Sequence, residues 1–171
     1  MDFRAQATLD QLRQAFEMVQ LGSGVSLHEA NVIDDYGTAE QRLAARALDT
    51  EQHWWEVPDE AIALGWGYCA LSFMDARGLH YYLPAYASWV LRRGFQSDSA
   101  AFEHTIYTLE SVQERPGQFV LFNFSQAQAI QAFLQYLLSV DPDDSCFTHH
   151  YQRAHAIWTA HAETLKEYTH D

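Results

Sequence analysis

From Thr8 to Leu21 the apolar residues Leu9, Leu12, Phe16 and Val19 recur at three- and four-residue steps between Gln and Arg. That spacing predicts an amphipathic helix, which Gly22-Ser-Gly24 stops. Ser26-Leu-His-Glu29 is then a capping box, in which serine and glutamate each satisfy a free backbone N–H at a helix start. The helix it opens runs to Tyr36 and ends at Gly37. Thr38-Ala-Glu-Gln41 repeats the signature, and Leu43, Ala44, Ala47 and Leu48 predict a compact apolar face through Asp49. His53-Trp-Trp-Glu-Val-Pro58 is aromatic enough to cover a core edge, with Pro58-Asp-Glu starting another short helix.

After Gly67 the period changes. Tyr68 to Met74 and Leu79 to Leu83 are rich in residues that suit a pleated surface, and Asp75 and Gly78 read as the turn between two strands. Tyr81 and Tyr82 would then alternate between core and surface. Pro84 launches a helix from Ala85 to Arg93 with Gly94 as its stop, and Phe95–Ser99 is a loop before a helical or mixed segment over Ala100–Leu109, in which Ile106-Tyr-Thr-Leu109 suits an extended chain equally well. Gln118 to Phe122 reads as a further strand. Ser125 caps a helix carrying Ile130, Phe133, Leu134, Leu137 and Leu138, Asp141-Pro-Asp-Asp-Ser145 breaks it, and a last helix from Cys146 to Tyr168 buries Tyr151, Ala154, Trp158, Ala162 and Leu165. The fold class these segments predict is α+β: a mostly helical single domain over residues 1–171. Its β part is a small antiparallel hairpin over residues 68–83, or a three-stranded sheet if 118–122 joins it.

Composition changes this picture mainly through charge. The chain has 171 residues, 48% hydrophobic and 14% aromatic, enough for a packed core. Ten Lys and Arg stand against 23 Asp and Glu, a net charge of −13. Such a field repels phosphates and anionic lipid, so neither nucleic acid nor a membrane is expected as partner, and a basic protein is the natural complement. Residues 26–60 hold nine acids (Glu29, Asp34, Asp35, Glu40, Asp49, Glu51, Glu56, Asp59 and Glu60) against Arg42 and Arg46, more than half of the excess. The N-terminus carries no basic stretch followed by an apolar one, and no apolar run reaches ~18 residues, so the expected location is cytoplasmic. Cys69 and Cys146 lie far apart with no C-x-x-C spacing and read as free buried thiols.

Candidate chemistry is sparse. His149, His150, His155 and His161 miss the three- and four-residue steps that put two ligands on one helix face, so no metal and no cofactor is expected. Asp34 and Asp35 are adjacent and point about 100° apart on a helix, which suits a salt bridge to Arg42 or Arg46 better than acid–base catalysis. Gly22-Ser-Gly24 is not a nucleophile elbow, and Cys69 across the presumed turn from His80 reads as a buried thiol. No catalytic residue is assigned. The exception to a plain core reading is the concentration of Trp54, Trp55, Tyr68, Tyr81, Tyr82, Tyr86 and Trp89, residue types that anchor protein interfaces. Beside the acidic stretch they suggest a partner surface of Asp34, Asp35, Asp49, Trp54, Trp55, Asp75 and Tyr82.

Leu71-Ser-Phe-Met-Asp75 followed by Gly78-Leu-His-Tyr-Tyr-Leu-Pro-Ala-Tyr86 resembles an uncharacterised bacterial domain-of-unknown-function family, the one numbered 6714. Leu27-x-Glu-Ala-x-x-Ile-Asp-Asp-Tyr-Gly37, Ala45-Arg-Ala-Leu-Asp49, Trp55-x-x-Pro58 and Phe124-Ser-x-x-Gln128 before Phe133-Leu extend the resemblance over residues 25–138, flanked by the helices at 8–21 and 146–168. The family usually has Arg-Phe or Arg-Tyr where this chain has His80-Tyr81, which removes a fixed cation there. The resemblance implies a bacterial cytosolic protein and carries no catalytic residues. By analogy with small acidic bacterial proteins, the expected function is non-enzymatic binding: an immunity or inhibitor protein that blocks a basic toxin or nuclease. The alternatives are an enzyme or small-ligand protein with an aromatic pocket between hairpin and helices, or a housekeeping protein.

Overall fold

The computed structural model describes residues 2–63, 67–93, 99–141 and 147–167, with the side chains of Gly67 and Tyr68 left aside. Met1, the Gly94 stop, the loop at 95–98, the helix break at 142–145, Cys146, Tyr168 and the side chain of Tyr68, one of the aromatic concentration, lie outside what is described. Among the described residues there are eight α-helices: α1 (Phe3–Ala15), α2 (Leu27–Asp34), α3 (Ala39–Arg46), α4 (Asp59–Ala63), α5 (Ala76–Arg93), α6 (Ala101–Glu110), α7 (Phe124–Val140) and α8 (Thr148–Glu167). Single 3-10 segments lie at Trp54–Glu56, Gly67–Phe73 and Pro116–Gln118.

No strand occurs among the described residues, so the α+β expectation is overturned. Residues 68–83 form no hairpin: Gly67–Phe73 is 3-10 helix and Ala76–Arg93 is one continuous α-helix. Residues 118–122 are the end of a 3-10 turn and the chain leading to α7, not a third strand. The physical reason is that α5 is buried all round. Thirteen of its eighteen residues are buried, among them every one from Tyr81 to Leu91, so its sequence carries no polar face from which a 3.6-residue period could be read. Tyr81 and Tyr82 are both core residues rather than one core and one surface.

Asp75 does make the side-chain to backbone bond expected of it, but as the cap of α5 rather than as a turn former. Its Oδ1 accepts from the Gly78 N–H at 2.8 Å and from the Val25 N–H at 3.0 Å, tying the loop before α2 to the start of α5. Pro84 stands inside this helix instead of opening one. It deletes one ladder bond, a defect worth about 3 kcal/mol in an isolated helix. Burial of the large side chains around it, at about 1.5–3 kcal/mol each, outweighs that cost.

Several elements pack directly on this helix. Helices α1, α4 and α6 and the three 3-10 segments pack on α5, while α7 joins α1 to α8, and α8 in turn packs on α6. Tyr151, Ala154, Trp158 and Ala162 of α8 are buried at the expected spacing. The indoles of the core find acceptors: Trp54 Nε1–H donates to the Phe16 carbonyl at 3.0 Å and Trp158 Nε1–H to the Leu109 carbonyl at 2.9 Å. Both helix starts read from the sequence open helices, α2 at Ser26/Glu29 and α3 at Thr38/Gln41. Both bonds of the box form at Thr38/Gln41, while at Ser26/Glu29 the glutamate accepts from the Ser26 N–H at 3.4 Å and the Ser26 hydroxyl finds no partner among the described residues. The first helix starts and ends about five residues earlier than its apolar spacing suggested, capped by Asp2 and closed at Phe16. Asn123, not Ser125, caps α7.

Candidate docking surface

Helix α3 is turned inside out. Of its eight residues Ala45 alone is buried, and the apolar face expected to pack inward points to solvent: Leu43 is 70% exposed and Leu48, just past the helix end, 63%. Ala44 and Ala47 are exposed beside them. The inward side carries Arg42 and Arg46 instead, and the group that draws them in is Glu29 of α2. Its carboxylate accepts from Arg42 Nη2 at 2.8 Å and Nε at 3.2 Å, and from Arg46 Nη1 at 3.0 Å. Arg46 also donates to the carbonyls of Gly22 and Gly24 in the preceding loop. Burial opposes ionisation of Glu29, but the hydrogen bonds from the two arginines and from the Ser26 N–H outweigh it and hold the carboxyl below its usual range. The inward cations are the expected Arg42 and Arg46, and their acid is Glu29 rather than Asp34 or Asp35. Asp34 sits 3.7 Å from the Cys69 thiol, and Asp35 is exposed at the end of α2.

Between the two helices stands Tyr36, 98% exposed and with φ of +56°. A bulky residue in the left-handed region costs on the order of 1 kcal/mol and is a genuine outlier. The adjacent Gly37 would suit the conformation better, but a Cβ there would overlap Val32 Cγ1, so glycine is needed for the close approach and the left-handed position falls to tyrosine.

The remaining residues singled out in the sequence are dispersed or enclosed. Tyr82 and Trp54 lie in the core at 1% and 2% exposure, where no partner reaches them without opening it. Trp55 is half-buried, stacked on His53 at 4.2 Å between ring centres, with the Arg13 guanidinium 3.4 Å over its ring. Asp49 accepts from the His28 backbone N–H at 2.9 Å, capping α2 from a distance, and pairs with His28 Nδ1 at 2.7 Å. Asp59 pairs with Arg92 and Arg93 at 2.7 and 3.0 Å, and Glu56 accepts from the backbone of Gln52 and His53. Five of the nine acids between residues 26 and 60 are thus engaged internally, and the acidic stretch is not a continuous free shell. The exposed acids nearest the α2–α3 turn are Asp35 and Glu40.

The His28–Asp49 pair orients an imidazole as a general base would need, with Asp49 enclosed and His28 partly open. The pair lines neither of two cavities in the molecule. One, of about 930 Å³, is a groove between α1, α7 and α8, and the other, of about 590 Å³, is an apolar hollow between the 112–120 segment and α8. Cys69 is partly buried, and burial together with the neighbouring Asp34 carboxylate pushes its thiol up, which disfavours the thiolate. Among the described residues no group of three or more His, Cys, Asp and Glu side chains could hold a metal ion, and no helix is long and apolar enough to cross a membrane.

The inverted face of α3 has no signal in a single sequence, because its apolar spacing is that of an ordinary buried face. What could have hinted at it is Glu29 followed by Arg42 and Arg46, three charges able to close on one another. No curated protein and no solved structure matches the chain. The sequence model of a family of unknown function, DUF6714, matches residues 5–162, more than the 25–138 covered by the motifs, and the chain belongs to that family.

Proposed function

We propose that this chain is a non-enzymatic binding protein that docks a basic protein partner on the outer face of the α2–α3 turn, as an immunity or inhibitor protein would dock a toxin or nuclease. The observation that carries the reading is the inversion of α3: two leucines and a tyrosine stand in solvent while two arginines turn inward onto Glu29. An arrangement that spends burial on charge and leaves leucine exposed is not what folding alone favours. Tyr36 adds a large aromatic with a polar tip, the residue type that most often anchors an interface, held in a strained conformation. Asp35 and Glu40 supply an acidic rim, and the net charge of −13 supports a partner of opposite sign.

The test places a photo-crosslinking residue at position 43, with position 163 on α8 as the control, and identifies what is captured in cells that produce the chain. The expected product is a basic protein cross-linked from position 43 only. Its purified form should bind one-to-one and lose its own activity when bound, and Leu43→Asp with Leu48→Asp should weaken binding tenfold or more, about 1.4 kcal/mol per tenfold. A purified partner that binds the double variant as tightly as the parent overturns the proposal. So does a cross-link solely between two copies of this chain, which would make the face a homodimer interface.

A further inference from the structure

The groove between α1, α7 and α8 has an unusual lining. Five glutamines, Gln11 and Gln14 from α1 and Gln128, Gln131 and Gln135 from α7, face it together, and none of the lining residues is Asp, Glu, Lys or Arg. In a chain with 33 such charged residues, a groove of about 930 Å³ free of them is a distinct chemical surface. Among the described residues none of the five amides is hydrogen-bonded within the protein. Other glutamines show that the fold uses an amide where it needs one: Gln41 and Gln126 close capping boxes, and Gln118 donates to the Met74 carbonyl at 2.7 Å. Ala129 and Ala132 keep the floor on α7 low, so a ligand can lie close to the helix between the amide arms.

We propose that this groove binds the main chain of an extended, uncharged peptide segment. A primary amide donates and accepts at once, and the partner that offers an acceptor and a donor in one plane is another amide. The spacing suits it. At 1.5 Å per residue Gln131 and Gln135 are about 6 Å apart along α7. The N–H and C=O groups on one edge of an extended chain recur at every second residue, about 6.7 Å on. Apart from His155 at the α8 edge the lining carries no ionisable side chain, so recognition falls mainly on backbone geometry rather than on charge. The groove lies on other helices than the α2–α3 face, so this inference stands apart from the function proposed above.

Selection of a random twelve-residue phage library against the intact protein supplies the probe, as the free synthetic peptide that is most enriched. The expected result is a largely uncharged, proline-poor peptide whose titration shifts the side-chain amide ¹⁵N–¹H signals of Gln128, Gln131 and Gln135. Affinity should fall at least tenfold both in the Gln131→Ala/Gln135→Ala variant and when alternate backbone nitrogens of the peptide are methylated. Gln135 is exposed and Gln131 half-buried, and among the described residues neither makes a hydrogen bond, so the variant's melting temperature should stay close to the parent's. The proposal is overturned if no peptide is enriched, if the N-methylated peptide binds as tightly, or if the shifts fall outside the groove. It is overturned too if a neutral oligosaccharide such as maltohexaose gives the same shifts at the same concentration.

Discussion

Glu29 joins three pieces of chain through one carboxylate: its own helix start at Ser26, α3 by way of Arg42 and Arg46, and, through Arg46, the Gly22–Gly24 loop. With 11% of its side chain exposed and arginines 41% and 30% exposed, the cluster is neither a surface ion pair nor a fully enclosed one. Replacement by glutamine keeps the shape and strands two guanidinium groups beside a neutral amide. Glu29→Gln should therefore cost about 1–3 kcal/mol in urea unfolding, between the values for exposed and buried pairs. A loss below about 0.5 kcal/mol, the usual range for a surface substitution, would mean that the arginines are held inward by something else. At this scale the sequence was partly legible. The capping role of Glu29 could be read because its partner is three residues away, while its arginines stand thirteen and seventeen residues off and depend on how α2 and α3 cross. Asp34 and Asp35 drew attention only because they are adjacent.

Among the elements, α5 decides the fold and was the one most fully misread. Asp75 and Gly78 suit a turn and a helix start equally well, and Pro84 suggested a boundary where the chain in fact continues. A segment buried on every side offers neither period, and only its length and its neighbours settle the matter. Gly78 marks where those neighbours act. A Cβ there would overlap the Val25 carbonyl oxygen, because the loop entering α2 runs directly against the first turn of α5. Gly78→Ala should lower stability by about 1–3 kcal/mol as loop and helix are forced apart, whereas Gly117→Ala, with open space at its Cβ, should leave the melting temperature unchanged or slightly raised. Equal melting temperatures for the two variants would contradict the close approach. Helices with one polar side were legible from spacing alone, α8 above all, and their ends were less so because caps compete along the chain.

For the whole molecule, internal pairing of the acids turns net charge into a dependence on pH. Burial holds His80 and His161 below the ordinary imidazole value of 6.5, so the native rings stay neutral while the unfolded chain takes up protons. Stability is then complete above 6.5 and falls as pH drops through the native values. Against the opposing effect of burial, their arginine partners keep Glu29 and Asp59 ionised below ordinary values of 4.5 and 3.8, so a second loss begins as pH falls through that range. Urea midpoints from pH 8 to 3 should be level to about pH 7 and then decline in two stages. A midpoint constant down to about pH 5 would show that the imidazoles are not held neutral. The sequence by itself determined the polar–apolar helices, the two helix-start signatures, the charge imbalance and the family, because each depends on composition or on the residues themselves rather than on which surfaces meet. Tertiary structure alone decided that residues 76–93 form one buried helix, that α3 faces outward, and that most of the acidic stretch is paired inside. Those outcomes turn on which surfaces meet, and burial and pairing between distant segments outweigh the preferences that any short window of the chain expresses.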